Sequence, residues 1–599
     1  MEPRSARDFP VLACVHVVSR YCMPQGDLPH VLCRLDVFLD IFSANMTIAT
    51  SYERTGNLRL MQYLAAREHG DEMDPFYRRW LFNRALGMAA ARGDLTAAQW
   101  LVESYLPDEL ITQAVTAAAS HGHMHILEWL NERSDGSVLW TGEAMCGALK
   151  YDQVEVVEWL WTHAVPQTEW MVRVLHAAVK AGNLKMATWL CDNYDVSAEN
   201  LLTLSMSGRH WEITRWIIER YDIRDRSVDW YFPVRDGALS LLKYLHSRSV
   251  GQVRYATLRT AASNGHLEVV KWLHCELDVA LTAESMREAA ENGHLNVVEW
   301  LFETRSTCCD SSVLVGAAEA GHLEIVQWLH AHRADGCRAV AMDSAARSGH
   351  LEVVKWLHAN RTEGCSEKAM DGAATNGFFE VVQWLHEHRS EGCTISAMDG
   401  AAGAGHLEIV RWLHDNRSEG CSKFAMNYAA RNGHFDIVKW LHANRSEGCT
   451  PWAMTWAARN RHLNIVKWLH ENRDEGCTLA AMDKASKHGH LDVVQWLHAN
   501  RSEGCTYEAM DKAAGMGHLS VVKWLHKYRS EGCTSAAMTY AIFAEHFDVV
   551  LFLHSHRSES FVFRANTIIT LPLEFKEWLI ANYMHTGKLD GCILDVSDA

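Results

Sequence analysis

A ten-letter string restricts this chain more than any other feature. Gly349-His350-Leu351-Glu352-Val353-Val354-Lys355-Trp356-Leu357-His358 is repeated letter for letter from Gly265 to His274. Near-copies begin at Gly293, Gly321, Gly377, Gly405, Gly433, Arg461, Gly489, Gly517 and Glu545, on a strict 28-residue spacing. Self-similarity at such a period means one small supersecondary unit stacked many times, each copy burying its apolar face against the next.

The register extends further in weaker form. Tyr63, Trp100, Trp129, Trp159, Trp189, Trp216 and Tyr244 follow one another at intervals of 27 to 37, and from Tyr244 the spacing is constant as far as Phe552. A last imperfect copy, Phe575-Lys576-Glu577-Trp578-Leu579, follows Pro572. The chain therefore divides into a helical lead-in over 1–50, divergent repeats over 51–250, regular repeats over 251–555 and a capping repeat with a tail over 556–599. The lead-in helix is placed at Leu28–Ala44.

One unit, from Cys449 to Cys477, shows the local logic. Thr450 before Pro451 is an N-cap followed by a residue that needs no N–H. Ala453, Met454, Ala457 and Ala458 fall on one helical face. Most units then place a Gly where the helix ends, since Gly tolerates a left-handed turn. Arg461 stands there in this unit, at a cost of about 1 kcal/mol. The next position is His in most units and Asp94 or Asn183 in divergent ones, and is expected to cap the second helix. Leu463, Ile465, Val466, Trp468 and Leu469 then cover more than one face, as a helix packed on both neighbours requires. The fold class is an all-α, helix-turn-helix repeat solenoid.

These letters resemble the ankyrin repeat. Its second helix, Gly-His-Leu-Glu-Val-Val-Lys-Leu-Leu, is matched by Gly517-His518-Leu519-Ser520-Val521-Val522-Lys523-Trp524-Leu525, and its Ala-Ala by Ala513-Ala514. The Thr-Pro opening survives as Thr450-Pro451. The unit is about five residues shorter than the family's 33, and the shortfall lies where the family builds its β-hairpin finger, so helices without long fingers are implied. The Trp-Leu-His and Glu-Gly-Cys letters look like a variant found in large families of some eukaryotic microbes. The resemblance implies protein–protein binding as a class.

Charge and composition narrow the alternatives. The net charge is −17, from 57 Lys+Arg against 74 Asp+Glu, which argues against an extended nucleic-acid or anionic-membrane surface and sets nucleic acid aside as a partner. Nothing at the N-terminus reads as a secretory signal, no run of about 20 apolar residues could cross a membrane, and 17 Cys are expected as reduced thiols in the cytoplasm or nucleus.

Three rows of side chains invite a chemical reading. Cys309, Cys337, Cys365, Cys393, Cys421, Cys449, Cys477, Cys505 and Cys533 recur once per unit, but stacked helices lie about 8–10 Å apart, too far for disulfides between equivalent rungs. The His row of the Gly-His pair and the row His358, His386, His414, His442, His470, His498 and His526 are eight apart within a unit, not the i, i+4 of a helical zinc site. The Trp row takes the place of a core Leu. All three are read as structural packing, with no metal and no cofactor. Phosphate-loop, metalloprotease, nucleophile-elbow and Cys-x-x-Cys motifs are absent, so the chain is read as non-catalytic.

Function in such an array lies where copies differ on an exposed face. Counting from each Cys, positions 4, 5, 8 and 9 are Ala, Met, Ala, Ala in most regular copies and mark the buried side; positions 3, 6, 7 and 10 are expected outward. One copy offers Phe424, Asn427, Tyr428 and Arg431 there, the next Trp452, Thr455, Trp456 and Arg459, and the third Lys484 and Lys487. Trp, Tyr and Arg dominate binding hot spots, so Phe424, Tyr428, Arg431, Trp452, Trp456, Arg459, Lys484 and Lys487 form the candidate partner-binding site. The competing reading is that the rings pack on each other, on Arg461 or on the N-terminal segment. The function expected is a protein-interaction scaffold using a concave surface of first helices. The alternatives are single-strand nucleic-acid binding through stacking and phosphate contacts, and a substrate adaptor that docks a second machine through 1–50 or 556–599.

Overall fold

The computed structural model describes residues 46–557 apart from 69–72, 134–137, 139, 164–169, 195–199, 226, 306–309 and 333–338, together with 563–564, 571–583 and 589–590. The lead-in helix expected at Leu28–Ala44, and Cys309 and Cys337, lie outside the described residues.

The chain forms two compact units, Met1–Asp222 with Ser560–Ala599, and Ile223–Glu559. In both, the element order is a long alternation of short first and second helices. In the second unit the pairs run from Tyr231–Arg235 with Leu239–Ser247 to Ser535–Phe543 with Phe547–His556. Extended structure among the described residues is confined to the two-residue parallel strands Phe563–Arg564 and Leu589–Asp590 and two isolated bridges. The protein is an all-α helical-repeat solenoid, with no β-hairpin finger among the described residues.

The pair Lys423–Asn432 and Phe435–Asn444 shows why each repeat folds this way. Ala425, Met426, Ala429 and Ala430 are buried on one face of the first helix, and Ile437, Val438 and Leu441 on the second. Burying one such aliphatic side chain is worth about 1.5–3 kcal/mol, and the small Ala faces let successive first helices approach closely. Gly433 turns the chain at φ 86°. A Cβ there would meet the His462 ring of the next repeat at 2.6 Å, so both the dihedral and the neighbour demand Gly.

That contact corrects the capping role expected of His. Asp94 and Asn183 do cap their own helices, accepting the N–H of Ala97 and Met186 at 3.0 Å each. The His residues at this position make no such bond. Their imidazole reaches back instead, donating Nε2–H to a carbonyl of the preceding first helix: His266 to Arg235 at 2.8 Å, His294 to Ser263 at 3.2 Å, His490 to Arg459 at 3.1 Å. The ring is longer than Asp or Asn and spans the inter-repeat gap that they cannot.

The inter-repeat loops carry a second seam. Arg473 pairs with Glu475, and Glu475 Oε1 accepts the Cys449 N–H of the preceding repeat at 3.3 Å. Arg501, Glu503 and Cys477 repeat the arrangement, with Arg501 also donating to His470 Nδ1 at 3.3 Å. The same His row meets the next repeat's Trp edge-on, as in His414–Trp440 at 5.2 Å and 86°. The Trp row does pack, but at the half-buried rim of the second helices rather than deep in the core. Cys365, Cys393, Cys421, Cys449 and Cys505 are free and buried. Burial and neighbouring carboxylates push the Cys365 thiol up to about 11 and the Cys393 thiol up to about 12, so neither is a nucleophile at neutral pH.

In the first unit, the terminal helix Leu573–Tyr583 packs against Pro75–Arg92. Trp578 Nε1–H donates to Asp74 at 3.0 Å, Asn83 donates to the buried Glu574 at 2.7 Å, and Arg79 pairs with Glu577.

Two predictions follow from these seams. Gly433→Ala should destabilise its repeat by about 1–2 kcal/mol, from the left-handed dihedral alone. Arg461→Gly should stabilise the repeat 451–472 by about 1 kcal/mol, because Arg461 holds φ 64° with a Cβ; hydrogen exchange of the helices 423–444 reads the first and of 451–472 the second. The second concerns acid. Burial pushes the Glu475 and Glu503 carboxyls up, but bonds from their Arg partners and from backbone N–H groups outweigh it and hold each at about 2. Folded values below unfolded ones stabilise above about pH 4.5, and the contribution is lost as pH falls toward 2. The urea midpoint of the regular repeats should drop over that window, and Glu475→Gln with Glu503→Gln should flatten the drop while lowering the midpoint at pH 7.

Candidate functional site

The candidate surface is built on three successive first helices, Lys423–Asn432, Pro451–Arg459 and Ala480–Lys487. Each of the first two starts from a hydroxyl cap: Ser422 accepts from Phe424 N at 3.1 Å, and Thr450 from Trp452 N at 3.4 Å. The caps are themselves fixed by the preceding repeat. Asp399 accepts both the N–H and the Oγ–H of Ser422, as Asp371 does from Thr394 at 2.8 and 2.7 Å.

This forward bond corrects the expected outer face. Position 6 does not point to solvent. Asn427 is 0% and Thr455 1% exposed, because each reaches into the next repeat. Asn427 accepts the Thr450 N–H at 3.0 Å and donates to its Oγ1 at 2.9 Å; Thr455 Oγ1 accepts the Thr478 N–H at 3.2 Å. Positions 3, 7 and 10 remain as the outward set. Phe424 is 49% and Trp452 46% exposed, Tyr428 and Trp456 are half-buried, Arg431 and Arg459 are exposed, and Lys484 and Lys487 are half-buried.

The rings form one continuous ladder across two repeats. Phe424 stacks on Tyr428 at 5.5 Å, Tyr428 lies nearly parallel to Trp456 at 5.9 Å and 10°, and Trp452 tilts against Trp456 at 5.6 Å. The Arg431 guanidinium lies over the Trp456 ring at 5.7 Å. The rings thus pack on each other and still reach solvent, while Arg461 turns away to Asp492 at 3.4 Å. Mutual stacking fixes their rotamers, so little side-chain entropy remains to be lost on binding. Beside the ladder, no described carboxylate lies within 4.0 Å of Arg431, Arg459, Lys484 or Lys487. The exposed His488 faces Arg459, Lys487 and Lys484; partial burial first, then those three cations, push its pKa down. Neither His488 nor the neutral character of position 6 was marked by the sequence reading, although the change from Asp to Asn427 and Thr455 in register was the available signal.

The first unit holds a cavity of about 770 Å³ that sequence reasoning also missed. Val157, Trp161, Met186 and Trp189 line it. Trp161 stands where regular copies have the His of Trp-Leu-His, and it meets Trp189 edge-on at 4.1 Å. Asp152, Glu158, Thr162 and Lys185 also line it, with no His, Cys or Ser. Among the described residues there is no cluster of His, Cys, Asp or Glu that could hold a metal ion, and no helix long and apolar enough to cross a membrane.

Comparisons with known proteins agree with this geometry. Family models described as "Ankyrin repeats (3 copies)" match residues 286–371, 314–399 and 372–483, and one described as "Ankyrin repeats (many copies)" matches 482–526. No curated protein matches the sequence. Among solved structures the chain is similar to the pentatricopeptide repeat protein PPR10 from maize, at 12% identity and TM-score 0.25, covering 91% of this chain and 98% of that one. It is also similar to PPR10 in complex with an 18-nt psaJ RNA element, at 10% identity and TM-score 0.32, covering 91% and 94%. PPR10 holds an RNA element in that structure, and the setting aside of nucleic acid as a partner is withdrawn. The physical fault lay in the net charge, which averages the whole surface while the cations here gather on one face. The helix pairs of 286–526, with their Ala-Ala faces and Gly-His turns, are ankyrin repeats.

Proposed function

We propose that the chain is a non-catalytic protein-interaction scaffold whose partner is held on the outward face of the first helices, anchored at Phe424, Tyr428, Arg431, Trp452, Trp456, Arg459, Lys484 and Lys487. Its ankyrin repeats support interaction with other proteins as the general role. The observation that carries the location is the ring ladder. In the copies before it, position 7 is Gly372 and Gly400, so a flat first-helix surface gives way abruptly to four half-exposed aromatics. Stacked, half-exposed Trp and Tyr next to Arg supply large contact area at low entropic cost, the combination that hot spots share.

The repeats beneath act as the support. Each ring sits on a helix whose other face is buried, and each helix is pinned to the next by the Asn427–Thr450 and Thr455–Thr478 bonds. The partner therefore meets a surface whose shape is set before contact. The two-residue substitution Trp452→Ala with Trp456→Ala removes the ladder's outer half without touching a buried position. Truncating an anchor of this kind costs about 2 kcal/mol or more, roughly 30-fold in affinity. Affinity capture with mass spectrometry should lose specific partners from the double variant, while helicity and the urea midpoint stay near those of the parent. An unchanged set of captured proteins with the fold intact would remove the anchor.

A further inference from the structure

We infer that the surface from Phe424 to Lys487 takes an acidic peptide segment, its carboxylates ranged along Arg431, Arg459, Lys484 and Lys487 and an apolar side chain set against the exposed edges of Phe424 and Trp452. The inference rests on the proposed function and narrows its partner by charge. The loop cations of the regular repeats are compensated: Arg389, Arg445 and Arg473 pair with Glu391, Glu447 and Glu475. The four cations of this face have no described carboxylate within the same reach.

The buried layer beneath them changes in step. The flanking repeats seat Asp399 and Asp483 at position 6, where each accepts the next repeat's backbone N–H and hydroxyl. Under the rings the same link is made by Asn427 and Thr455. The geometry is kept and the negative charge is removed from the two copies that carry the aromatics. Exposed His488, crowded by Arg459, Lys484 and Lys487, marks where the positive side chains converge. On a chain of net charge −17, an acidic segment is repelled by most of the surface and drawn to this one face.

The exposed rings suit a peptide that carries apolar side chains between its carboxylates. Tyr428 and Trp456 spend a face on each other and Arg431 lies over the Trp456 ring, while Phe424 and Trp452 at the two ends stay about half exposed. Ring edges are the positive part of the quadrupole and suit carboxylate oxygens and aliphatic stems.

The test uses the full chain and labelled probes: a synthetic peptide alternating glutamate with leucine and phenylalanine, its lysine counterpart, and oligouridine. Fluorescence anisotropy should show the glutamate peptide bound more tightly than the lysine peptide. Affinity for it should fall about tenfold or more in Arg459→Glu with Lys487→Glu, and also in Trp452→Ala. Equal binding of the two peptides, or insensitivity to the charge reversal, would overturn the inference, as would oligouridine bound more tightly than the glutamate peptide and lost on the same reversal. Captured partners that survive the charge reversal but not Trp452→Ala with Trp456→Ala would leave the proposed function standing and reject the acidic segment. Captured partners indifferent to both would reject both.

Discussion

The regular repeats lend one another the hydrogen bonds that close them. Asp371 supplies the bonds that fix the cap of the helix at Ile395; His490 closes on the carbonyl of Arg459, one repeat earlier; Glu475 accepts the N–H of Cys449. Each is a bond to a neighbour rather than within a unit. A single 28-residue pair would leave these groups to water and half its apolar surface exposed, a state too small and too polar to stand alone. The strict period follows from that dependence. One inserted residue would move Asp, His and Glu off their targets together.

The same dependence decides which positions are free to vary. Positions 4, 5, 8 and 9 are held by packing and position 6 by the forward bond, so the outward set narrows to positions 3, 7 and 10. Variation there is cheap for the fold: Gly372, Gly400, Tyr428, Trp456 and Lys484 all occupy position 7 on nearly identical helices. Aromatic and basic side chains concentrated at these positions in adjacent copies are therefore not needed to hold the array up.

The period, the paired helices, the Gly turn and the missing fingers were legible in the sequence because each depends on residues within about one turn of one another. What was not legible depends on partners a full repeat away. The Gly-His pair reads as a Gly turn followed by a cap, and only the stack shows the imidazole reaching back to the preceding helix. A rotation of 100° per residue puts Asn427 outward, and only the position of Thr450 draws it in. The opposite limit is Leu573–Tyr583, whose seat on Pro75–Arg92 joins residues about 490 apart in sequence, with no periodic cue to link them. At the candidate surface the residue types were legible and their mutual stacking was not, since composition does not say whether neighbouring rings face each other or the solvent.

Asn427 and Thr455 also bear on why the cations can stay unpaired. A buried carboxylate in this setting is already costly: burial pushes the Asp399 and Asp483 carboxyls above the usual range despite their hydrogen bonds. An ionised group about 10 Å beneath the surface would offset each cation by roughly 1–2 kcal/mol at an effective dielectric near 20. Neutral replacements keep the inter-repeat bond and remove that offset from the two copies where Arg431 and Arg459 stand. Stability alone gives no reason for the exchange to fall in those two copies, because the flanking repeats carry Asp in the same geometry. Buried neutrality, outward rings and the unpaired Arg431 and Arg459 coincide in the same two repeats, and that coincidence is what the proposed anionic guest would require.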